Sequence, residues 1–332
     1  MSEGALATAG APRRTLWAIV LERVGIHNLS LIGALIVLIA IFGAIRPDVF
    51  FLPRNILNIG MAVTLLGVLA MSQTVVIVSG GLDISVGSIV GLTTVVTAMG
   101  IGATDNALAG IALGILVGGL AGVANGLIIT VGMVNAVIAT LGTMAIFRGV
   151  AFIISDGQSI SIFHEGFRGL GTGLLLGLPI PIWVIAVCAV LFHMFLAHTI
   201  VGRNVYAIGG NPVVARFAGI GLPKYRIGVY VMSGAAAGLA GVLLAARTGS
   251  GQPISGSEGL ELEAITAALL GGCALQGGKG NIAGALLAVI IIGVLNNGMI
   301  LTSVPTFYQL LARGALLILA VIIAERQLAR TG

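Results

Sequence analysis

Charge is what this chain lacks. Only 8% of its 332 residues are Asp, Glu, Lys or Arg, while 58% are hydrophobic and the mean hydropathy is +1.14. A water-soluble domain carries roughly a quarter charged residues, so this chain cannot cover itself for water. Cysteine is scarce too: Cys188 and Cys273 are the only two, and both lie within apolar segments. They read as small packed side chains, with no sign of a disulfide or a redox compartment. The net charge of +5 has no basic face interleaved with aromatics behind it, which argues against nucleic acid as a partner. The four histidines (His27, His164, His193 and His198) stand at no metal-ligand spacing from Cys, Asp or Glu.

Catalytic signatures are missing as well. No nucleophile, base and acid fall into a recognisable set, so enzymatic chemistry is not expected. The stretch GCALQGGKG at Gly272–Gly280 imitates a phosphate loop. A Walker motif, however, requires Gly where Cys273 stands and Ser or Thr where Gly280 stands. The chain is expected to bind no nucleotide, metal or other cofactor of its own.

What the chain has in quantity is apolar helix and glycine. A membrane crossing needs about 20 apolar residues. That ruler predicts an all-α polytopic membrane protein with about ten helices. They fall near 28–45, 57–79, 84–100, 108–130, 135–154, 180–198, 227–247, 261–276, 282–300 and 307–324. The segments at 84–100 and 261–276 are short enough to be partial or broken spans. Residues 1–27 form a basic tail, 28–325 the membrane domain, and 326–332 a second tail. Lys and Arg at the helix ends cluster on the side of both tails and of the 200–226 segment, which places that side in the cytoplasm. Gly110, Gly114, Gly118, Gly122 and Gly126 recur every four residues and line one helix face, where a neighbouring backbone can approach closely.

A weak internal repeat also shows. GLDIS at Gly81–Ser85 resembles GLELE at Gly259–Glu263, Asn125-Gly126 answers Asn297-Gly298, and Arg148-Gly149 answers Arg313-Gly314. The matched pairs lie on helices of opposite direction, as in the inverted repeats of transporters, whose substrate route runs at the repeat interface.

The segment Ile200–Arg226 holds Arg203, Arg216, Lys224 and Arg226 and no acidic residue. Within it, Gly210–Ile220 has the marks of a short capped helix: Asn211 at the cap, Pro212 at the first position, Gly219 at the stop. Such a helix is too short to stand alone, so it must rest against something. It reads either as an element that docks a soluble partner or as an ordinary interhelical loop.

Few residues are candidates for touching a solute. Gly80-Gly81 can break a helix, and Asp83 and Ser85 then cap the next, beside a solute path or simply in a tight hairpin. The end position of Asp83 favours the structural role. Glu261 and Glu263 read as exposed acids at a helix start, with proton coupling as the functional alternative. Gln73, Asn125, Asn135, Asn296 and Asn297, together with Thr74 and Thr140, would suit a path for a neutral, many-hydroxyl solute. Helix-to-helix hydrogen bonding explains any single one equally well. Arg148 and Arg313 lie within spans without an assignable role.

Three stretches together are familiar. SGGLDISVGS at Ser79–Ser88, GRNVYAIGGNPVVARFAGI at Gly202–Ile220 and GGCALQGGKGNIAGALLA at Gly271–Ala288 resemble the permease subunits of ribose-type sugar ABC importers. The similarity runs from about Leu52 to the C-terminus. It implies a multi-pass protein of the bacterial inner membrane, surrounded by lipid, that works by alternating access. It also implies three kinds of partner: a second permease chain, identical or related, two cytoplasmic ATP-binding subunits holding ATP and Mg, and a periplasmic sugar-binding protein. The Gly210–Ile220 segment, with Ala215 and Arg216, matches the coupling helix that docks on the ATPase. A Glu often follows the Asn-Pro of that segment, whereas Val213 stands here, so docking leans on Arg216 and apolar contacts. An ion-coupled secondary transporter using Asp83, Glu261 or Glu263 is the competing reading, and a structural membrane anchor a third.

Overall fold

The structure is a computed structural model that describes residues 26–255 and 259–329. The 1–25 part of the expected tail and residues 330–332 lie outside the described residues. Long helices dominate: α1 (Ile26–Ile45), α3 (Pro53–Val78), α4 (Val86–Thr104), α5 (Ala107–Thr130), α6 (Ala136–Ile154), α8 (Ile180–His198), α11 (Leu222–Thr248), α13 (Ile282–Leu301) and α14 (Thr306–Ala329). Between them lie short helices: α2 (Pro47–Phe50), α7 (Glu165–Thr172), α9 (Ile200–Gly210), α10 (Pro212–Phe217) and α12 (Leu260–Leu270). Two-residue strands β1 (Ile160–Ser161) and β4 (Ser250–Gly251) pair antiparallel, as do β2 (Leu174–Leu175) and β3 (Leu178–Pro179).

Nine helices among the described residues are long and apolar enough to cross a membrane. The tenth expected crossing, at 261–276, is corrected to the half-length helix α12. At 1.5 Å per residue its 11 residues span about half of a hydrocarbon core. The physical cause is the glycine run that follows. Gly272, Gly277 and Gly278 all adopt positive φ, which stops the helix and turns the chain back into α13. Ahead of α12, the segment 249–255 packs along α4 at mid-helix. There Gln252 N donates to Thr94 Oγ1 (3.0 Å), and Thr94 Oγ1 donates to the Gln252 carbonyl (3.0 Å).

The helices divide into a buried centre and a greasy rim. The most apolar window of α3 is 83% buried, that of α4 78% and that of α11 61%, against 11% in α14 and 17% in α1. The rim helices α1, α5, α6, α8 and α14 keep large apolar side chains such as Ile36, Leu116, Ile138, Leu191 and Ile318 on the outside, as a lipid-facing wall must. Asparagine side chains start several of these helices. Asn106 caps α5, Asn135 caps α6 and Asn281 caps α13, each accepting from backbone N–H groups that would otherwise be orphaned.

The glycine ridge does what its spacing predicts. A Cβ on Gly118 would fall 2.8 Å from the Gly238 Cα, and one on Gly122 would meet the Tyr230 carbonyl of α11. The α5 and α11 backbones therefore touch directly, with dispersion and weak C–H contacts holding them where no hydrophobic gradient exists. The packing is also crosswise. The first-half helix α3 packs on the second-half helices α12 and α13, while the second-half helix α11 packs on the first-half helices α4 and α5. This exchange matches the internal repeat seen in the sequence.

Candidate functional site

The face of the bundle that carries 200–226 is built on a knot of three turns. Helix α3 ends at Val78, and the turn 79–85 leads into α4. The α9–α10 junction and the turn 271–280 press against it. Gly278 N donates to the Val78 carbonyl (2.9 Å), and a Cβ on Gly277 would lie 2.9 Å from both the Gly209 Cα and the Gly80 Cα. Glycine stands at 80, 209, 277 and 278 because backbone meets backbone there. Two tyrosines finish the knot. Tyr206 donates to the Gly280 carbonyl (2.6 Å), and Tyr230 donates to the Leu82 carbonyl (3.2 Å). Burial, and Cys273 nearby, push the Tyr206 phenol above its usual range, which keeps it a donor.

The expected capped helix is present, with one correction: the 200–210 stretch ahead of it is not loop but a second helix, α9. Gly210 closes α9, and α10 runs over Pro212–Phe217. Three glycines hide α9 in the sequence. It forms because Thr199 accepts from Gly202 N (2.9 Å) and because Val205 and Ile208 bury against the bundle. Asn211 caps α10 by accepting from Val213 N (3.0 Å) and Val214 N (3.1 Å), and Gly219 takes φ +81° at its end. Ala215 is buried with Ile208 and Leu222, while Val213, Val214, Arg216 and Phe217 stand out from the body, Phe217 at 89% exposure. Replacing the cap, Asn211→Ala, is expected to cost about 1 kcal/mol of local stability. Hydrogen exchange at the Val213 and Val214 amides would speed up accordingly; unchanged protection would show that packing alone holds the helix.

Behind the knot lies a buried polar brace. Asp83 is fully buried; its Oδ1 accepts from Ser85 N (3.1 Å) and Ser85 Oγ (2.6 Å), and its Oδ2 accepts from Ser233 Oγ of α11 (2.8 Å). Ser85 Oγ in turn accepts from Asn125 Nδ2 of α5 (2.8 Å), and Asn125 Oδ1 accepts from Thr143 of α6 (2.6 Å). Gln73 of α3 donates to the Asp83 carbonyl (2.7 Å). The side-chain chain from Ser233 to Thr143 thus ties α11, the 79–85 turn, α5 and α6 together. Sequence reading singled out Asp83, Ser85, Asn125 and Gln73 but not Ser233 or Thr143, because single hydroxyls inside apolar helices carry no local signal.

Two cavities open on opposite faces. The one beside the knot, of about 560 Å³, is lined by Gly80, Asn135, Arg216, Arg226 and Tyr230 among others. The one on the far face, of about 320 Å³, lies where α3 begins and α11 and α13 end, and includes Asn58, Arg247, Glu263, Asn296 and Asn297. Of the candidate path residues, Asn135, Asn296 and Asn297 therefore reach a cavity. Neither of these cavities is lined by Gln73, Asp83, Ser85 or Asn125. Asn297 is also locked structurally, exchanging amide hydrogen bonds with Asn55 (2.9 and 3.1 Å).

The acids at the start of α12 are not exposed as expected. Glu261 is buried at 7% exposure, and Glu263 pairs with Arg313 of α14 (Nη1 to Oε1, 2.8 Å). Arg148 of α6 lies close enough to act on Glu261 electrostatically. Charges within apolar spans persist only when paired or wet, and here each acid at the start of α12 has an arginine to answer it. This gives Arg148 and Arg313 the role that the sequence left open.

Comparison with known proteins agrees with this architecture. The family model described as branched-chain amino acid transport system / permease component matches residues 55–321. The chain belongs to this permease family. The L-arabinose ABC transporter permease protein AraH of Azospirillum brasilense is 42% identical over 90% of this chain and 87% of its own. The ribose import permease protein RbsC is 39% identical in Escherichia coli K12 (89% of this chain, 92% of its own). Its namesake in Bacillus subtilis is 40% identical (88% and 91%). No solved structure matches the chain. The permease is a multi-pass membrane protein of the ABC importer class, as the three sequence motifs implied, and the ion-coupled alternative finds no support among its relatives.

Proposed function

We propose that this permease carries a sugar or related polyol inward across the bacterial inner membrane, as one half of a permease pair. The observation that carries the reading is the identity of about two residues in five to arabinose and ribose permeases, spread over nine-tenths of the chain. The family model's own description names amino acids, but the full-length likeness to sugar permeases weighs more. In this reading the knot face is cytoplasmic and both termini lie on that side. Two cytoplasmic ATP-binding subunits hold ATP and Mg, this chain holds no cofactor, and a periplasmic protein delivers the sugar.

Helix α10 is then the coupling helix. Its exposed Val213, Val214 and Phe217 offer an apolar contact to a soluble partner, and Arg216 offers a charge. Its base is tightly packed: α10 follows directly on α9, whose C-terminal end is joined to the 79–85 and 271–280 turns by backbone contact. A push on α10 is therefore delivered through α9 to the end of α3 and to the 79–85 and 271–280 turns, the first of which borders the cavity beside the knot. Nucleotide closure of the partner would rock those helices between the outward and inward openings.

Co-purification from the native membrane tests this. A Walker-motif ATPase is expected to accompany the intact permease and to be lost when Gly210–Ile220 is scrambled at unchanged helical content. A folded permease that reproducibly arrives without an ATPase would overturn the ABC assembly for this chain.

A further inference from the structure

We propose that the cavity on the far face is a binding site for the incoming solute, in which Glu263 and Arg247 hold hydroxyl groups of a neutral polyol. The inference deepens the sugar-permease reading and rests on it. The cavity of about 320 Å³ lies at the lower end of the roughly 300–1,000 Å³ of small-ligand pockets. That size suits one small solute and leaves no room for a long one. It opens where α3 begins and α13 ends, and it reaches down to Leu260, the first residue of the half-helix α12. Broken helices inside a membrane bundle are tolerated where they line a cavity, and transporters place their solute sites at such breaks.

The chemistry of the walls is specific. Glu263 supplies carboxyl oxygens, and its pairing with Arg313 at 2.8 Å fixes them from behind. Arg313 itself lines a neighbouring cavity of about 180 Å³ and is not among the walls of this one. Arg247, at the end of α11, supplies a guanidinium fork. Asn296 and Asn58 bring side-chain amides to the wall. An acceptor, a donor fork and amides together match vicinal hydroxyls, which donate and accept at once.

The test uses the importer purified with its co-purifying subunits and reconstituted in vesicles. Cys188 and Cys273 are both buried, so a cysteine placed at the exposed cavity residue Ala62 becomes the reporter for an impermeant maleimide. Whichever of L-arabinose, D-ribose or a hexose the unaltered importer takes up is expected to slow labelling of Ala62→Cys in proportion to its occupancy. Glu263→Gln is expected to raise the half-saturating sugar concentration about tenfold, the worth of one hydrogen bond to a charged acceptor. A merely structural Glu263 would instead leave fewer folded molecules and an unchanged half-saturation. That result, or labelling indifferent to a sugar that the importer does transport, would overturn the site and leave the sugar-permease reading standing. Uptake of none of these sugars, or protection by L-leucine in their place, would overturn the substrate class and the inference with it.

Discussion

Gly209→Val is expected to abolish transport. The Cβ of any residue at 209 would meet the Val78 carbonyl and lie 2.6 Å from Gly278 N, so the obstacle on both sides is backbone. Backbone cannot rotate away as a long side chain can, and overpacking of this kind costs about 1–3 kcal/mol, at times more. The strain falls on the joint between the coupling segment and the two turns. The variant is therefore expected to keep the exposed side of α10 and any subunit bound to it, while losing the movement that the joint transmits. Uptake and subunit retention, measured on the same preparation, separate the two. Retained subunits with normal uptake would show that α9 does not transmit force through Gly209. Gly210, one residue on, has no atom within 4 Å of a built Cβ, so Gly210→Ala is the matched control.

Asp83→Leu is expected to be the most destabilising single change in the polar brace. It removes the acceptor of three donors, Ser85 N, Ser85 Oγ and Ser233 Oγ, all of them buried. Each donor left unmet costs about 1–3 kcal/mol, and the low dielectric around them offers no water in exchange. Asp83→Asn behaves differently. Its amide oxygen still accepts from Ser85, and the Ser233 hydroxyl can turn and accept from the amide nitrogen. The asparagine variant is thus expected to melt near the unaltered protein in detergent and to transport without a requirement for a titrating carboxyl. The leucine variant is expected to melt far lower or to fail to accumulate. Equal melting of the two would mean that shape, and not hydrogen bonding, sets the residue at 83.

Much of the fold was legible because the bilayer makes it so. Helix ends at Asn211 and Gly219 could be read from capping chemistry, and the α5 ridge from the four-residue recurrence of glycine. Where reading went astray, the missing information was nonlocal. Residues Ile200–Gly210 look like a glycine-rich loop until Val205 and Ile208 are seen to bury. Glu261 and Glu263 look exposed until α6 and α14 bring Arg148 and Arg313 to them. The site was legible only in pieces, since the partners Ser233 and Thr143 lie 150 and 18 residues from the groups they bind.

By itself the sequence determined that this chain crosses a membrane many times, because too little charge and too much apolar length leave no other solvent for it. It also determined the permease family, through three motifs whose residues are unusual for apolar helices. Only the tertiary structure decided why those motifs belong together: Gly209, Gly277 and Gly278 meet as bare backbone at one knot beside the end of α3, where a side chain on any of the three would push the others apart. It alone decided which polar residues brace the bundle and which face a cavity. That choice depends on what packs opposite each side chain, and a linear pattern does not contain it.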